Sequence, residues 1–523
     1  MFCNQCEQTA NGKGCTARGA CGKSPEAAAA QDALIEALRR LAGAMAETGQ
    51  ASGADGDLLC FGLFSTLTNV NFDASSLKAL AARVLARAAG LAGRDCDAGA
   101  EAASLLAQAP SPDRFSADPD VCSAMQILLY GLKGTAAYAW HAARLGQRDS
   151  ALALGMAKLL CARDGDGTAR GLEDWLDLAL EAGRLNLRAM ELLDRGATRT
   201  FGDPVPTSVS LGRRKGPCIL VSGHDLADLH ELLEQTRDKG IAVYTHGEML
   251  PAHSYPKLKA FPHLAGHYGT AWQNQRRELP GFPGPVVFTT NCIQNPSGYA
   301  DRVFTCGPVQ WPGVGSASGG DFSAVIAKAL EMQGFAGEEA GGALLTGFGR
   351  QTLLDAAPAL LDAVKAGAVK HVFLVGGCDG ARQSRGYYAD FVRLAPKDSL
   401  IVTLGCGKFR FNSLDLGRLG SFPRLLDAGQ CNDAYAAVAL ALKLADALGC
   451  TVSDLPLSLV LSWYEQKAVA ILLTLLALGV KGVRLGPTLP AFASPAILGA
   501  LAERFGLAPV ADPEADLRAC LQG

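Results

Sequence analysis

Apolar residues in the first two hundred positions recur at helical spacing. Leu34, Leu38 and Leu41 fall at i, i+4 and i+7, behind Ser24 as a cap and Pro25 at the first helical position. The same period returns near 57–69, 74–92, 119–146, 149–163 and 170–195. It predicts six helices. The break at Pro110-Ser111-Pro112 divides them into two three-helix bundles, with a faint suggestion of internal duplication.

The pattern changes across Pro204–Lys215. Cys218-Ile219-Leu220-Val221 is a short continuous apolar run, Leu226–Arg237 is amphipathic, and Ile241–Tyr244 is apolar again. That is a βαβ unit, and it implies a parallel sheet. Similar runs occur at Pro285–Thr289, His371–Val375, Leu400–Leu404, Leu457–Leu461 and Gly482–Leu485, with helices such as Asp321–Met332 and Leu353–Ala366 between them. Gly334–Gly342 reads as a linker. The expected fold class is multidomain α and α/β: a helical domain over 1–204, a first α/β domain over 205–335 and a second over 336–523, both with mainly parallel sheets. The longest apolar run, Ala468 to Val480, falls short of the ~20 residues of a bilayer span and reads as a buried helix. The N-terminus has neither a basic nor an apolar leader region. A soluble, cytoplasmic protein without membrane contact is expected.

Composition narrows the function. With 49% hydrophobic and 19% charged residues the chain is neither disordered nor a coiled coil. A balance of 51 acidic against 48 basic residues leaves no electrostatic footprint for nucleic acid. Sixteen cysteines in 523 residues are too sparse for a disulfide scaffold and plentiful for a reduced enzyme, so clustered cysteines point to metal.

Cys3, Cys6, Cys15 and Cys21 form C-x2-C-x8-C-x5-C, interleaved with Gly12, Gly14 and Gly19. Four thiolates this close can wrap one centre, with loop amides free to donate to sulfur. A zinc knuckle also uses four cysteines, but its usual two paired C-x2–4-C arms are met only by the first pair here. An iron–sulfur cluster is the better fit, placed at a chain terminus as an electron entry port.

A second set follows the strands. His224, Glu248, Cys292, Cys378, Cys406, Cys431 and Glu465 each lie just beyond an apolar run. In parallel α/β sheets, ligands bind outside the carboxyl ends of the strands. One at a time, a buried cysteine is a small hydrophobe and a histidine after a strand caps the next helix. Seven together mark a shared site. Mixed sulfur, nitrogen and oxygen donors favour a centre with exchangeable positions over a pure electron carrier.

The four N-terminal cysteines, Gly223-His224-Asp225-Leu226, Tyr244-Thr245-His246-Gly247-Glu248-Met249-Leu250-Pro251, Thr289-Thr290-Asn291-Cys292, Gly377-Cys378-Asp379-Gly380, Gly405-Cys406, Asp427–Asp433 and Trp463–Ala470 resemble the hybrid cluster (prismane) family, in the shorter form typical of anaerobes. The resemblance spans essentially the whole chain. It implies one [4Fe-4S] cluster on Cys3, Cys6, Cys15 and Cys21. It further implies one hybrid [4Fe-2O-2S] cluster on the seven strand-end residues at the domain interface, with a persulfide at Cys378. The implied activity is two-electron reduction of hydroxylamine to ammonia and water. Nitric oxide reduction or protein S-nitrosylation at the same centre is an alternative, as is a non-catalytic redox sensor or carrier. Glu248 and Glu465 are candidates for proton transfer, with Lys467 and His246 as neighbouring donors.

Eight cysteines remain: Cys60, Cys96, Cys122, Cys161, Cys218, Cys306, Cys450 and Cys520, of which Cys306, near the Cys292 strand, is the one to watch. Gly313–Gly320 lacks both the Gly-Lys-Ser/Thr ending and the dinucleotide spacing, so it reads as turns. Neither NAD nor flavin is expected, and electrons are expected from a separate donor protein.

Overall fold

The computed structural model describes every residue except 50, 318 and 523; Ser318 of the Gly313–Gly320 stretch therefore lies outside the described residues. The first two hundred residues form α1 (Pro25–Thr48), α2 (Gly53–Ser65), α3 (Ala74–Leu91), α4 (Ala98–Gln108), α5 (Pro119–Arg144), α6 (Ser150–Cys161) and α7 (Leu172–Phe201). Ser24 caps α1 through the Ala27 N–H, as its position ahead of Pro25 predicts. The additional helix, α4, leaves little periodic signal because only Leu105 of it is buried. The helices do not part at Pro110-Ser111-Pro112. α1 packs on α6 and α2 on α5 across that break, so all share one core.

Two six-stranded sheets follow. The first holds β1 (Cys218–Ser222), β2 (Ala242–Thr245), β3 (Leu264–His267), β4 (Val286–Phe288), β5 (Val303–Thr305) and β6 (Gly315–Ser316), in the order β3-β2-β1-β4-β5-β6, with α8 (Leu226–Thr236) crossing from β1 to β2. The second holds β7 (His371–Gly377), β8 (Ser399–Thr403), β9 (Leu425–Asp427), β10 (Leu457–Ser462), β11 (Arg484–Gly486) and β12 (Ala508–Pro509), in the order β9-β8-β7-β10-β11-β12. Every pairing within them is parallel. Both are the doubly wound arrangement, whose order reverses once. A crevice opens at that reversal, beyond β1 and β4 in one sheet and β7 and β10 in the other.

The Gly334–Gly342 segment is no free tether. Phe335 bridges Gly216 and Glu339 bridges Arg213, and Ala343–Thr346 pairs antiparallel with Thr207–Ser210. The approach to each sheet is thus zipped to the approach to the other.

The buried helix expected after Ala468 is α9 (Gln466–Ala477), and it packs against α5 and α7 rather than standing alone on its sheet. Two glycines permit the approach. A Cβ on Gly134 of α5 would lie 2.4 Å from the Gln466 carbonyl oxygen, and one on Gly183 of α7 would lie 2.3 Å from that of Leu473. This contact sets the height of the α9 N-terminus, where Glu465, Gln466 and Lys467 sit.

Gly183→Ala should therefore cost about 1–3 kcal/mol through overpacking against backbone that cannot yield. Gly43→Ala in α1, where an added Cβ meets nothing within 4 Å, should be neutral or stabilising. Scanning calorimetry of the two variants checks the contrast.

Candidate metal centres

β1 delivers His224 through Gly223, whose φ is +110° and where a Cβ would come 2.4 Å from Thr289 Oγ1. Glycine lets the turn lie against the end of β4. The His224 N–H donates to Thr290 Oγ1 at 2.9 Å, and Nδ1 lies 3.2 Å from the same hydroxyl. The ring is thereby fixed with Nε2 3.4 Å from Cys431 Sγ and 3.9 Å from Glu248 Oε2. Glu248 Oε2 accepts the Cys431 N–H at 2.7 Å, while Oε1 is buried with no partner. One donor atom from each of these three residues lies within 4.8 Å of the others.

The opposite wall comes from the second sheet together with Cys292, beyond the end of β4. Cys378 follows the last residue of β7, and its N–H is held by the Ser462 carbonyl at 2.8 Å. Cys406 follows Gly405, where a Cβ would meet the Gly377 carbonyl oxygen at 2.5 Å. Cys292 has a φ of +77°, uncommon for a residue with a side chain, and its sulfur accepts from Asn291 Nδ2 at 3.4 Å. Trp272 and Tyr464 pack over Cys292, Cys378 and Cys406. Glu465 caps α9, with Oε2 accepting the Lys467 N–H at 2.9 Å. The Lys467 ammonium donates to Cys431 Sγ and Asn291 Oδ1, each at 3.3 Å. All seven strand-end residues thus converge, and Lys467 with them.

Electrostatics follow from burial. It pushes the thiols of Cys292, Cys406 and Cys431 well up and that of Cys378 up to about 12, while Lys467 pulls Cys292, Cys378 and Cys431 back down. Burial, together with Lys467 and His141, holds His224 well below its usual value, so its imidazole is neutral and carries a lone pair for a metal. Burial raises the Glu465 carboxyl against the pull of Lys467. Desolvation would lower the Lys467 ammonium, but Cys431, Glu465 and Cys292 reverse this and raise it. A neutral imidazole, an unpartnered carboxylate oxygen and thiols beside a fixed cation fit a bound cationic cluster.

The N-terminal cysteines form a compact loop. Cys3 and Cys15 exchange backbone hydrogen bonds at 3.1 and 2.8 Å, and the N–H groups of Ala10 and Ala20 each donate to Cys15 Sγ at 3.4 Å. Gly19 is required there, since its Cβ would lie 3.1 Å from Cys21 Sγ. Cys6 and Cys15 are buried, Cys3 and Cys21 half-buried. Burial first, then the neighbouring Cys21 and Cys3, raise the Cys6 thiol. The donors again fit a cluster.

Residues 1–518 match the model of the Prismane/CO dehydrogenase family. The chain belongs to that family. Membership implies iron–sulfur clusters as cofactors. The chain is similar to proteins named hydroxylamine reductase from Lawsonia intracellularis (54% identical over 538 residues), Maridesulfovibrio salexigens (51% over 536) and Methanocella arvoryzae (50% over 544). In each case 100% of both chains is covered. Among solved structures, carbon monoxide dehydrogenase IV from Carboxydothermus hydrogenoformans superposes with a TM-score of 0.59 over 97% of this chain and 89% of its own, at 16% identity. That likeness is one of prismane-type fold, a mixture of helices and parallel sheets. Among the described residues, no helix is long and apolar enough to cross a membrane.

Against this family frame, two further residues separate. His246 is fully buried, but Nδ1 lies 3.0 Å from Ser222 Oγ and Nε2 3.3 Å from Glu278 Oε2. Both nitrogens are engaged away from Glu248, because a buried imidazole must satisfy each of them. Cys306 lies in the apolar core beneath the first sheet, and burial holds its thiol well above the usual range. None of the sixteen cysteines is in a disulfide. Sequence reasoning missed Tyr464, which is buried between the two sets: its ring packs at a tilt against Trp272, with centroids 4.4 Å apart, and its carbonyl accepts the Glu7 N–H at 3.0 Å. Its position beside Glu465 was the available signal.

Lys467→Met should leave the thiols around Cys431 without their neighbouring cation. Loss of a supporting contact costs about 10–100-fold in metal affinity. Iron at this centre should go to a chelator faster by that order, with the N-terminal loop's iron retained, as followed by electron paramagnetic resonance.

Proposed function

We propose that the chain is an iron–sulfur oxidoreductase that reduces hydroxylamine, NH2OH + 2 e− + 2 H+ → NH3 + H2O. The observation that carries the reading is the group His224, Glu248 and Cys431, with one Glu248 oxygen unpartnered in a buried site. A carrier that only passes electrons gains nothing from a labile carboxylate. The full-length likeness to proteins named hydroxylamine reductase supports the substrate.

In this reading Cys3, Cys6, Cys15 and Cys21 hold one [4Fe-4S] cluster. His224, Glu248, Cys292, Cys378, Cys406, Cys431 and Glu465 hold a hybrid [4Fe-2O-2S] cluster. The hybrid cluster, when bound, supplies a Lewis-acidic iron and the reducing electrons. The protein's own groups do the rest. Thr290 fixes the His224 ring by hydrogen bonding, and the Glu248 carboxylate is anchored on one oxygen and free on the other. Trp272 and Tyr464 keep bulk water from the thiol wall. Lys467, charged and within 3.3 Å of Cys431 Sγ, holds a proton beside the reacting space and stabilises negative charge there. His246 takes no part, since its hydrogen bonds lead to Ser222 and Glu278. Tyr464 spans the gap over which electrons pass from the N-terminal loop.

Anaerobically purified protein should bind about eight irons per chain, as two four-iron clusters. With a reduced viologen it should form ammonia from hydroxylamine faster than it consumes nitric oxide. Intact clusters without ammonia would refute the assignment. Glu465→Gln should alter the spectrum of the second centre and leave the N-terminal signal as it was. If both signals vanish together, the division into two centres is wrong.

A further inference from the structure

Charge on the surface of the N-terminal loop is one-sided. Residues 1–24 carry Lys13, Arg18 and Lys23 against a single acid, Glu7. Glu7 and Lys23 are buried, whereas Lys13 and Arg18 are exposed. Arg18 Nε donates to the Gly22 carbonyl, next to Cys21, at 3.4 Å. A third cation joins from the far end of the sequence. Arg382 pairs with Glu7, next to Cys6, and keeps 41% of its side chain exposed. The nearby acid Glu26, at the start of α1, has Lys78 beside it. The rim around half-buried Cys3 and Cys21 is therefore positive, on a chain whose net charge is −3. Half-buried Phe2 and Trp311 flank it, Trp311 lying 3.8 Å from the position of a Gly22 Cβ.

We propose that this rim, built from Lys13, Arg18 and Arg382, is the docking surface for an acidic one-electron carrier protein. The proposal rests on reading the N-terminal loop as the electron entry port. A negatively charged donor is repelled by much of a net-negative surface and drawn to this positive rim, where half-buried Cys3 and Cys21 approach solvent. Such steering raises association rates steeply at low salt and leaves affinity modest, as suits a partner that must leave after each electron. Encounters between redox proteins are also small, and a ring of a few cations around two aromatic side chains is enough.

Stopped-flow reduction of the holoprotein's N-terminal cluster by a reduced, acidic [2Fe-2S] ferredoxin tests this, with no substrate present. The double variant Lys13→Glu/Arg18→Glu should lower the second-order rate about tenfold at low ionic strength. The gap should close near 1 M salt, where the screening length falls to ~3 Å. Lys239→Glu, exposed at the opposite ends of the strands just before β2, should leave the rate as it is. Equal rates for the parent and the double variant, or an equal fall in Lys239→Glu, would overturn the proposal. A parent protein whose cluster takes up no electron from any donor would instead overturn the entry-port reading beneath it.

Discussion

Seven ionisable side chains meet in a largely buried space, and the rest of the molecule is arranged to make that tolerable. An isolated buried polar group or charge is costly, so the histidine and the two carboxylates are each held through one atom, which leaves the other for a metal. Thr290 takes one side of His224, the Cys431 amide takes one oxygen of Glu248, and the helix start of α9 takes one oxygen of Glu465. Lys467 supplies the compensating positive charge, and it stays charged because the sulfurs and the carboxylate around it outweigh its own desolvation. The cation and the donors support each other.

The two sheets explain why these donors meet. Both have the same strand order and reverse at the same step, so each presents one crevice. His224 and Cys292 leave one reversal, Cys378 and Glu465 the other. The ribbon of Thr207–Ser210 with Ala343–Thr346 ties the two sheets together by backbone hydrogen bonds. Within the second sheet, β7 and β10 are adjacent over six residues, which fixes the spacing of Cys378 and Glu465.

Much of this was legible along the chain, for a physical reason. A buried parallel strand is a continuous apolar run, so β1, β2, β7, β8 and β10 stand out, and with them the polar residue that ends each run. β6 and β12 are two residues long and β3 carries His267 and Gly266, so none has an apolar run to detect. α4 has one buried residue and hence no periodic face. Contacts across the Pro110 break, such as α1 on α6, are set by tertiary packing. The spacing of apolar positions along each helix does not reveal them. The partners of His246 were equally out of reach, since Glu278 lies 32 positions away on a different element.

The N-terminal loop is pinned almost wholly by distant partners. Glu7 pairs with fully buried Arg385 across 378 positions, and Gln466 holds the Gln5 carbonyl across 461. Asn4 and Gln5 are met by Gln126, Tyr130 and Lys133 of α5. The order of synthesis therefore runs opposite to the order of assembly. Residues 1–24 are among the last of the chain to find their place, because much of their seat is made of the final third of the sequence. Until that part has folded, Cys3, Cys6, Cys15 and Cys21 lack the seat that buries or half-buries them. Any truncation that removes the helical turn at Arg385 or the start of α9 would leave those cysteines without a dock, however intact their own spacing.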